Sequence, residues 1–236
     1  MTSWRLGLTP DQMREVDRLA EADFGIAPIQ LMEVAGLQTA RVAREMLGPD
    51  LGSRAVCILA GKGNNGADGM VAARRLAGWG ASVRVLTSFA VAEASGLGAV
   101  QATAANAAGV AVEPWSASTP AAELYIDALL GFGAAGAPRG VVAEMIEWLN
   151  ALKGARVLAL DLPSGLDAAT GDTPGGCARA TTTITLAAPK CGMLQREGRQ
   201  VVGDLFVADI GIPPALLRVV GVDPRGLFES SDLQRY

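Results

Sequence analysis

Hydrophobic and polar positions alternate differently in the two parts of the chain. Up to about residue 50 the apolar residues recur at helical spacing. Thr9-Pro10-Asp11-Gln12 has the features of a helix start: a hydroxyl that can cap, a proline suited to the first helical position, and a glutamine that completes a capping box. Met13, Val16 and Leu19 follow on one face, and Gly25 ends the pattern. A second helix is predicted from Pro28, with Leu31, Met32, Ala35, Val42 and Met46 on an apolar stripe that stops at Gly48.

From residue 51 onward, short apolar runs of strand length alternate with helical stretches. The runs are 55–60, 81–86, 109–112, 124–126, 156–160, 182–186 and 204–208, and the helical stretches are 68–78, 95–108 and 141–153, with a short turn near 173–178. Strands that are apolar throughout, separated by helices, predict a mainly parallel sheet covered on both faces. The expected fold is α/β: one doubly wound, Rossmann-like domain over 1–236, with residues 1–50 as a helical lead-in and 51–236 as the sheet domain. In such sheets ligands collect beyond the carboxyl ends of the strands, so the residues just after each run are the candidates for chemistry.

Composition narrows that chemistry. The 236 residues are 50% hydrophobic and contain no histidine, which removes imidazole-based triads, proton shuttles and zinc sites. A net charge of -4 argues against a protein that binds nucleic acid by neutralising phosphates. Three scattered cysteines form no C-x-x-C pair, which suits a reduced compartment. The first ten residues lack the apolar segment of a secretory signal, and no long uncharged stretch predicts a membrane span. A cytoplasmic protein, free of the membrane, is expected.

Three strand ends stand out. The first strand runs into Gly61-Lys-Gly-Asn64-Asn65-Gly66-Ala67-Asp68, which satisfies G-x-G-x-x-G in a strand–turn–helix context and would offer backbone amides to an anion. The acidic residue that would hold a ribose about 20 residues further on is missing, since the next strand ends Leu86-Thr87-Ser88. A purely structural reading is also open, in which Asn-Asn-Gly supplies left-handed turns and Asp68 caps the helix. Asp127 and Asp161 each end a buried strand, and Asp161 is followed by Ser164. A carboxylate there is costly unless it is hydrogen-bonded or paired. If the strands are neighbours, Asn65, Asp127 and Ser164 present only hard oxygen ligands, suited to an alkali or alkaline-earth cation.

Taken together and in this order, GKGNNGADGMVAARRL, IDALLGFG and ALDLPSGLDAATG resemble the NAD(P)H-hydrate epimerase family, also called the YjeF N-terminal domain. The resemblance runs over nearly the whole chain. It implies a Rossmann-like isomerase that interconverts the R and S forms of NADHX and NADPHX, hydrated at C6, for repair of nicotinamide cofactors. It also implies one bound potassium ion and a functional partnership with a separate ATP- or ADP-dependent dehydratase, with a homodimer possible. By resemblance the substrate loop is Asn64, Asn65, Gly66, Ala67 and Asp68. The phosphate-side loop is Gly131, Phe132, Gly133, Ala134, Ala135, Gly136 and Ala137, the carboxylate beside the reacting ring is Asp161, and the potassium ligands are Asn65, Asp127 and Ser164. Ala67 stands where the family usually has glycine, and would be strained if that position required a positive φ.

On this reading Asp161 is the catalytic residue, which protonates the departing C6 hydroxyl and later recovers a proton from the water that replaces it. Ring opening is a second route that the sequence leaves open. Lys62, Lys190 and Arg139 are candidate phosphate contacts, against the plainer reading of solvated surface cations. Trp79 and Trp148 are expected to pack, and Cys57 to be inert core. Two rival readings remain: an NAD(P) oxidoreductase, disfavoured by the missing ribose acid, and a non-catalytic nucleotide-binding or scaffold protein of the same fold.

Overall fold

The structure is a computed structural model that describes residues 2–52, 54–119 and 121–236. Its ten strands are β1 (Thr2–Ser3), β2 (Ala55–Ala60), β3 (Ser82–Thr87), β4 (Ala111–Pro114), β5 (Leu124–Ala128), β6 (Val157–Leu160), β7 (Thr182–Leu186), β8 (Asp204–Ala208), β9 (Val222–Asp223) and β10 (Leu233–Arg235). The seven α-helices are α1 (Pro10–Ala22), α2 (Pro28–Leu47), α3 (Asn64–Gly78), α4 (Gly96–Ala107), α5 (Val141–Ala151), α6 (Arg196–Val202) and α7 (Pro214–Val219).

Eight strands form the main sheet in the order β10-β8-β7-β6-β5-β2-β3-β4, parallel except for the edge strand β10. The chain builds outward from β2 through β3 to β4, then returns to the other side of β2 as β5. The order therefore reverses between β2 and β5, the position where a doubly wound sheet opens a crevice. Strand alternation divides the core. Val56, Ile58 and Ala60 pack with α1, α2 and α3 residues on one face, and Cys57 and Leu59 pack with Met145, Ile146 and Leu149 of α5 on the other. The lead-in helices share this core through Met13, Val16, Leu19 and Ala35. The expected capping box at Thr9 and Gln12 is present. Trp148 packs edge-on against Trp115 and Tyr125, Trp79 packs against the core, and Cys57 is buried, its thiol pushed up to about 12 by desolvation.

Several boundaries move. Helix α3 starts at Asn64 instead of residue 68, and the strand expected at 109–112 lies at Ala111–Pro114 because Gly109, at φ 84°, is spent ending α4. Helices α6 and α7 and strand β10 were not expected. They are short and docked by tertiary contacts, so their sequences carry too few turns to show a period. Among the described residues no helix is long and apolar enough to cross a membrane.

Candidate active site

A cleft of about 690 Å³ opens where the sheet order reverses. Its floor comes from Gly61–Asn65, Asp68, Leu129–Ala134, Asp161 and Lys190, and its wall from Met13, Asp17, Leu31, Met32 and Ala35 of the lead-in helices. The glycines of the first loop make this approach possible by their lack of bulk. A Cβ on Gly61 would run into the Leu129 carbonyl, and one on Gly66 into the carbonyl of Gly61, so α3 can settle directly onto the β2–β5 seam. Neither of these glycines has a positive φ, and Gly63 is the N-cap, with no side chain capping the first turn. The structural reading of this loop is therefore corrected: Asn64 and Asn65 are helical, and Asp68 lies in the second turn, buried and lining the cleft, where it caps nothing. Ala67 is helical too, so the feared strain is absent. Its methyl group packs with Met32 and Val71.

The strand-end oxygens converge. Asp127, fully buried, accepts from the Ser164 hydroxyl at 2.6 Å and the Ser164 amide at 2.8 Å. The Ser164 Oγ in turn accepts from the Leu130 amide at 2.8 Å, and Asn65 Nδ2 donates to the Leu130 carbonyl at 3.0 Å. Asn65, Asp127 and Ser164 thus gather around Leu130, with Asp127 and Ser164 lying beneath the cleft floor. Two features of this group are unsatisfied. Asn65 Oδ1 is buried with no hydrogen-bond partner, and desolvation raises the Asp127 carboxyl above its usual range despite the bonds from Ser164. An all-oxygen donor set with an orphaned amide oxygen and an uncompensated carboxylate fits a weakly hydrated cation.

Asp161 follows β6 at φ 71°, a left-handed conformation that aspartate tolerates better than most side chains. One carboxyl oxygen pairs with Lys190 Nζ, and the other accepts from the Phe132 amide at 3.0 Å. Lys190 is corrected most. Weighed from sequence as a phosphate contact or a solvated cation, it is completely buried, and its ammonium also donates to Thr185 Oγ1 and the Leu186 carbonyl, both at 3.0 Å. A parallel bridge holds its backbone, with the Leu8 amide bonded to the Pro189 carbonyl and the Cys191 amide to that of Leu8. The signal in the sequence is its place four residues after a strand, Thr182–Leu186, that carries three threonines. Asp17 was also missed as a site residue. It sits one turn after Met13 on the wall, and its carboxyl is raised to about 6, first by desolvation, with Lys190 opposing and Asp161 reinforcing.

Not every candidate reaches the cleft. Gly131, Phe132, Gly133 and Ala134 line it. Ala135, Gly136 and Ala137 do not: the loop turns outward and exposes them, and Gly136 borders a small separate depression near Leu162 and Asp167. Lys62 lines the cleft and lies 3.5 Å from Glu93, whereas Arg139 is exposed away from it.

The family described as YjeF-related protein N-terminus matches residues 28–192. A protein named NAD(P)H-hydrate epimerase from Dehalogenimonas lykanthroporepellens is 40% identical over 219 residues, covering 91% of this chain and 86% of that one. A protein of the same name from Rhodopirellula baltica is 40% identical over 220 residues, covering 91% and 88%. The bifunctional NAD(P)H-hydrate repair enzyme Nnr of Salinibacter ruber is 36% identical over 241 residues, which span 95% of this chain and 44% of that enzyme. The crystal structure of yeast ynu0 superposes with a TM-score of 0.83 over 98% of this chain and 99% of its own, at 23% identity, a likeness of fold. On the length of the match and the identity of these relatives, the chain belongs to the YjeF-related N-terminal family.

Proposed function

We propose that the chain is an NAD(P)H-hydrate epimerase, an isomerase that interconverts the R and S forms of NADHX and NADPHX at C6. The observation that carries the reading is a single cleft lined by both an uncapped helix start and an Asp161–Lys190 ion pair. The first amides of α3 suit an anionic group such as the diphosphate. The ion pair suits a reaction in which a hydroxyl leaves a carbon beside a ring nitrogen, because the iminium so formed is a cation that a fixed carboxylate stabilises. Lys190 and the Phe132 amide hold Asp161 in one orientation, and the apolar wall of Met13, Leu31 and Met32 limits bulk water around the ring. No electrons are exchanged, in keeping with the absent ribose acid that counted against an oxidoreductase.

Asn65, Asp127 and Ser164 would hold a potassium ion, with the Leu130 carbonyl close by. Its positive charge would neutralise Asp127 and fix the loop after β5. Melting in potassium against lithium chloride at equal ionic strength tests this, with a higher Tm in potassium expected.

The product S form would pass to a separate dehydratase, a division consistent with relatives named as bifunctional repair enzymes. The decisive assay mixes R-NADHX, an S-specific dehydratase and ATP, and follows NADH recovery with and without this protein. Recovery no faster than the spontaneous rate rejects the reading. Stabilisation by NADP without turnover would favour a binding protein instead.

A further inference from the structure

Inverting C6 on a ring held in one orientation sets a requirement that a single carboxyl group cannot meet. The departing oxygen needs a proton on one face, and the incoming water must lose a proton on the opposite face. Two groups are needed, and when the cycle starts one must carry a proton and the other must not.

The cleft supplies unequal carboxyl groups. Asp161 receives one donor at each oxygen, Lys190 at one and the Phe132 amide at the other. Each oxygen still has a second lone pair with which to accept from water. Asp68 is the converse. It is 7% exposed and lines the same cleft, and among the described residues no donor is placed on its carboxyl group. The ammonium that might have compensated it is committed to Asp161, Thr185 and Leu186. The charged groups acting on Asp68 are Asp161 after β6, Asp17 of α1 and Lys190 after β7. Elsewhere around α3, Glu33 of α2 is paired with Arg74 and Arg75, Asp127 of β5 accepts from Ser164, β3 carries Arg84, and β2 and α4 carry no charged residue. Burial without a donor, reinforced by repulsion from Asp161 and Asp17 and only partly offset by Lys190, drives the Asp68 carboxyl well above its usual range.

We propose that Asp68 is the second acid/base residue of the site, working across the ring from Asp161. The inference rests on the epimerase reading. In one direction the C6–O bond breaks with its electron pair going to oxygen, which takes the proton of Asp68 and leaves as water. The ring nitrogen lone pair closes the N1=C6 iminium. A water then adds to the other face, forming the new C6–O bond and giving its proton to Asp161. One water leaves and one enters, nothing is oxidised or reduced, and the proton returns to Asp68 through solvent at the cleft mouth beside Asp17. The reverse direction uses the same two groups in exchanged roles.

The test follows approach to equilibrium from pure S-NADHX, with the two epimers separated by chromatography. In Asp68→Asn, kcat should fall by about 100-fold or more while KM stays within a few-fold, as expected for loss of a general acid. The alkaline limb of the parental kcat/KM profile, where the Asp68 proton is lost, should vanish from the residual activity. An Asp68→Asn variant within threefold of the parental kcat, or one impaired in KM alone, overturns the proposal. A parental protein no faster than the spontaneous reaction fails the epimerase reading itself, a distinguishable result. Should the variant not fold, carbon-13 carboxyl NMR of the parental protein decides: a protonated Asp68 at pH 7 supports the proposal, and an ionised one overturns it.

Discussion

Replacing Lys190 by methionine tests whether the ion pair organises the site. The substitution keeps the length and apolar character of the stem and deletes the charge. In the native protein the ammonium is wholly buried beside an Asp161 carboxyl that is 6% exposed, and it has two further acceptors, Thr185 Oγ1 and the Leu186 carbonyl. The variant leaves Asp161 buried with only the Phe132 amide. Removing one partner of a buried pair costs about 3–5 kcal/mol, because the other charge stays uncompensated. Against a typical domain stability of about 5–15 kcal/mol, that is a large fraction. With a urea m-value of about 3 kcal/mol/M, the unfolding midpoint should drop by about 1–1.7 M. The double variant Lys190→Met/Asp161→Asn is the control. Asparagine tolerates the left-handed backbone at 161 and carries no charge, so most of the lost stability should return although activity does not. Urea denaturation of the parental protein, both single variants and the double variant closes the cycle. A Lys190→Met midpoint within about 0.3 M of parental, or a double variant as unstable as the sum of the singles, would refute the reasoning.

Other expectations follow from the same geometry. Adjacent positions 66 and 67 should respond oppositely. Gly66→Ala presses a methyl group onto the Gly61 carbonyl and should cost about 1–3 kcal/mol together with most of the activity, whereas Ala67→Gly should cost about 1 kcal/mol through helix propensity and lost packing and leave kcat nearly intact. Thermal melts and initial rates of the two variants check the contrast. Asp17 should titrate near pH 6 by carbon-13 carboxyl NMR. Because its folded value is raised, its contribution to stability is present below about pH 4 and lost as pH rises through 6, with a small amplitude since the carboxyl keeps contact with water. Asp17→Asn should flatten stability across that window, and an unchanged pH slope would count against the assignment.

The sheet was readable because buried parallel strands are apolar throughout, and the oxygen cluster because carboxylates at the ends of such strands are too costly to be accidental. What stayed hidden depends on contacts remote in sequence. Lys190 looks like any lysine after a proline until Asp161, Thr185 and Leu186 are seen around it. Asp17 is an exposed helix position, and only α1 lying along the cleft shows that it borders the site. Ala67 drew attention for a backbone strain that the early start of α3 removes. The outward turn after Ala134, which exposes residues 135–137, leaves no periodic mark in a glycine- and alanine-rich segment.

The bridge between Leu8 and Lys190 has a consequence for how the protein is made. The segment around Leu8 emerges from the ribosome long before the backbone it must grip, so the Lys190 ammonium can be seated beside Asp161 only once the chain beyond β7 has been translated. A chain that stops short of residue 190 keeps Asp161 and lacks its buried partner.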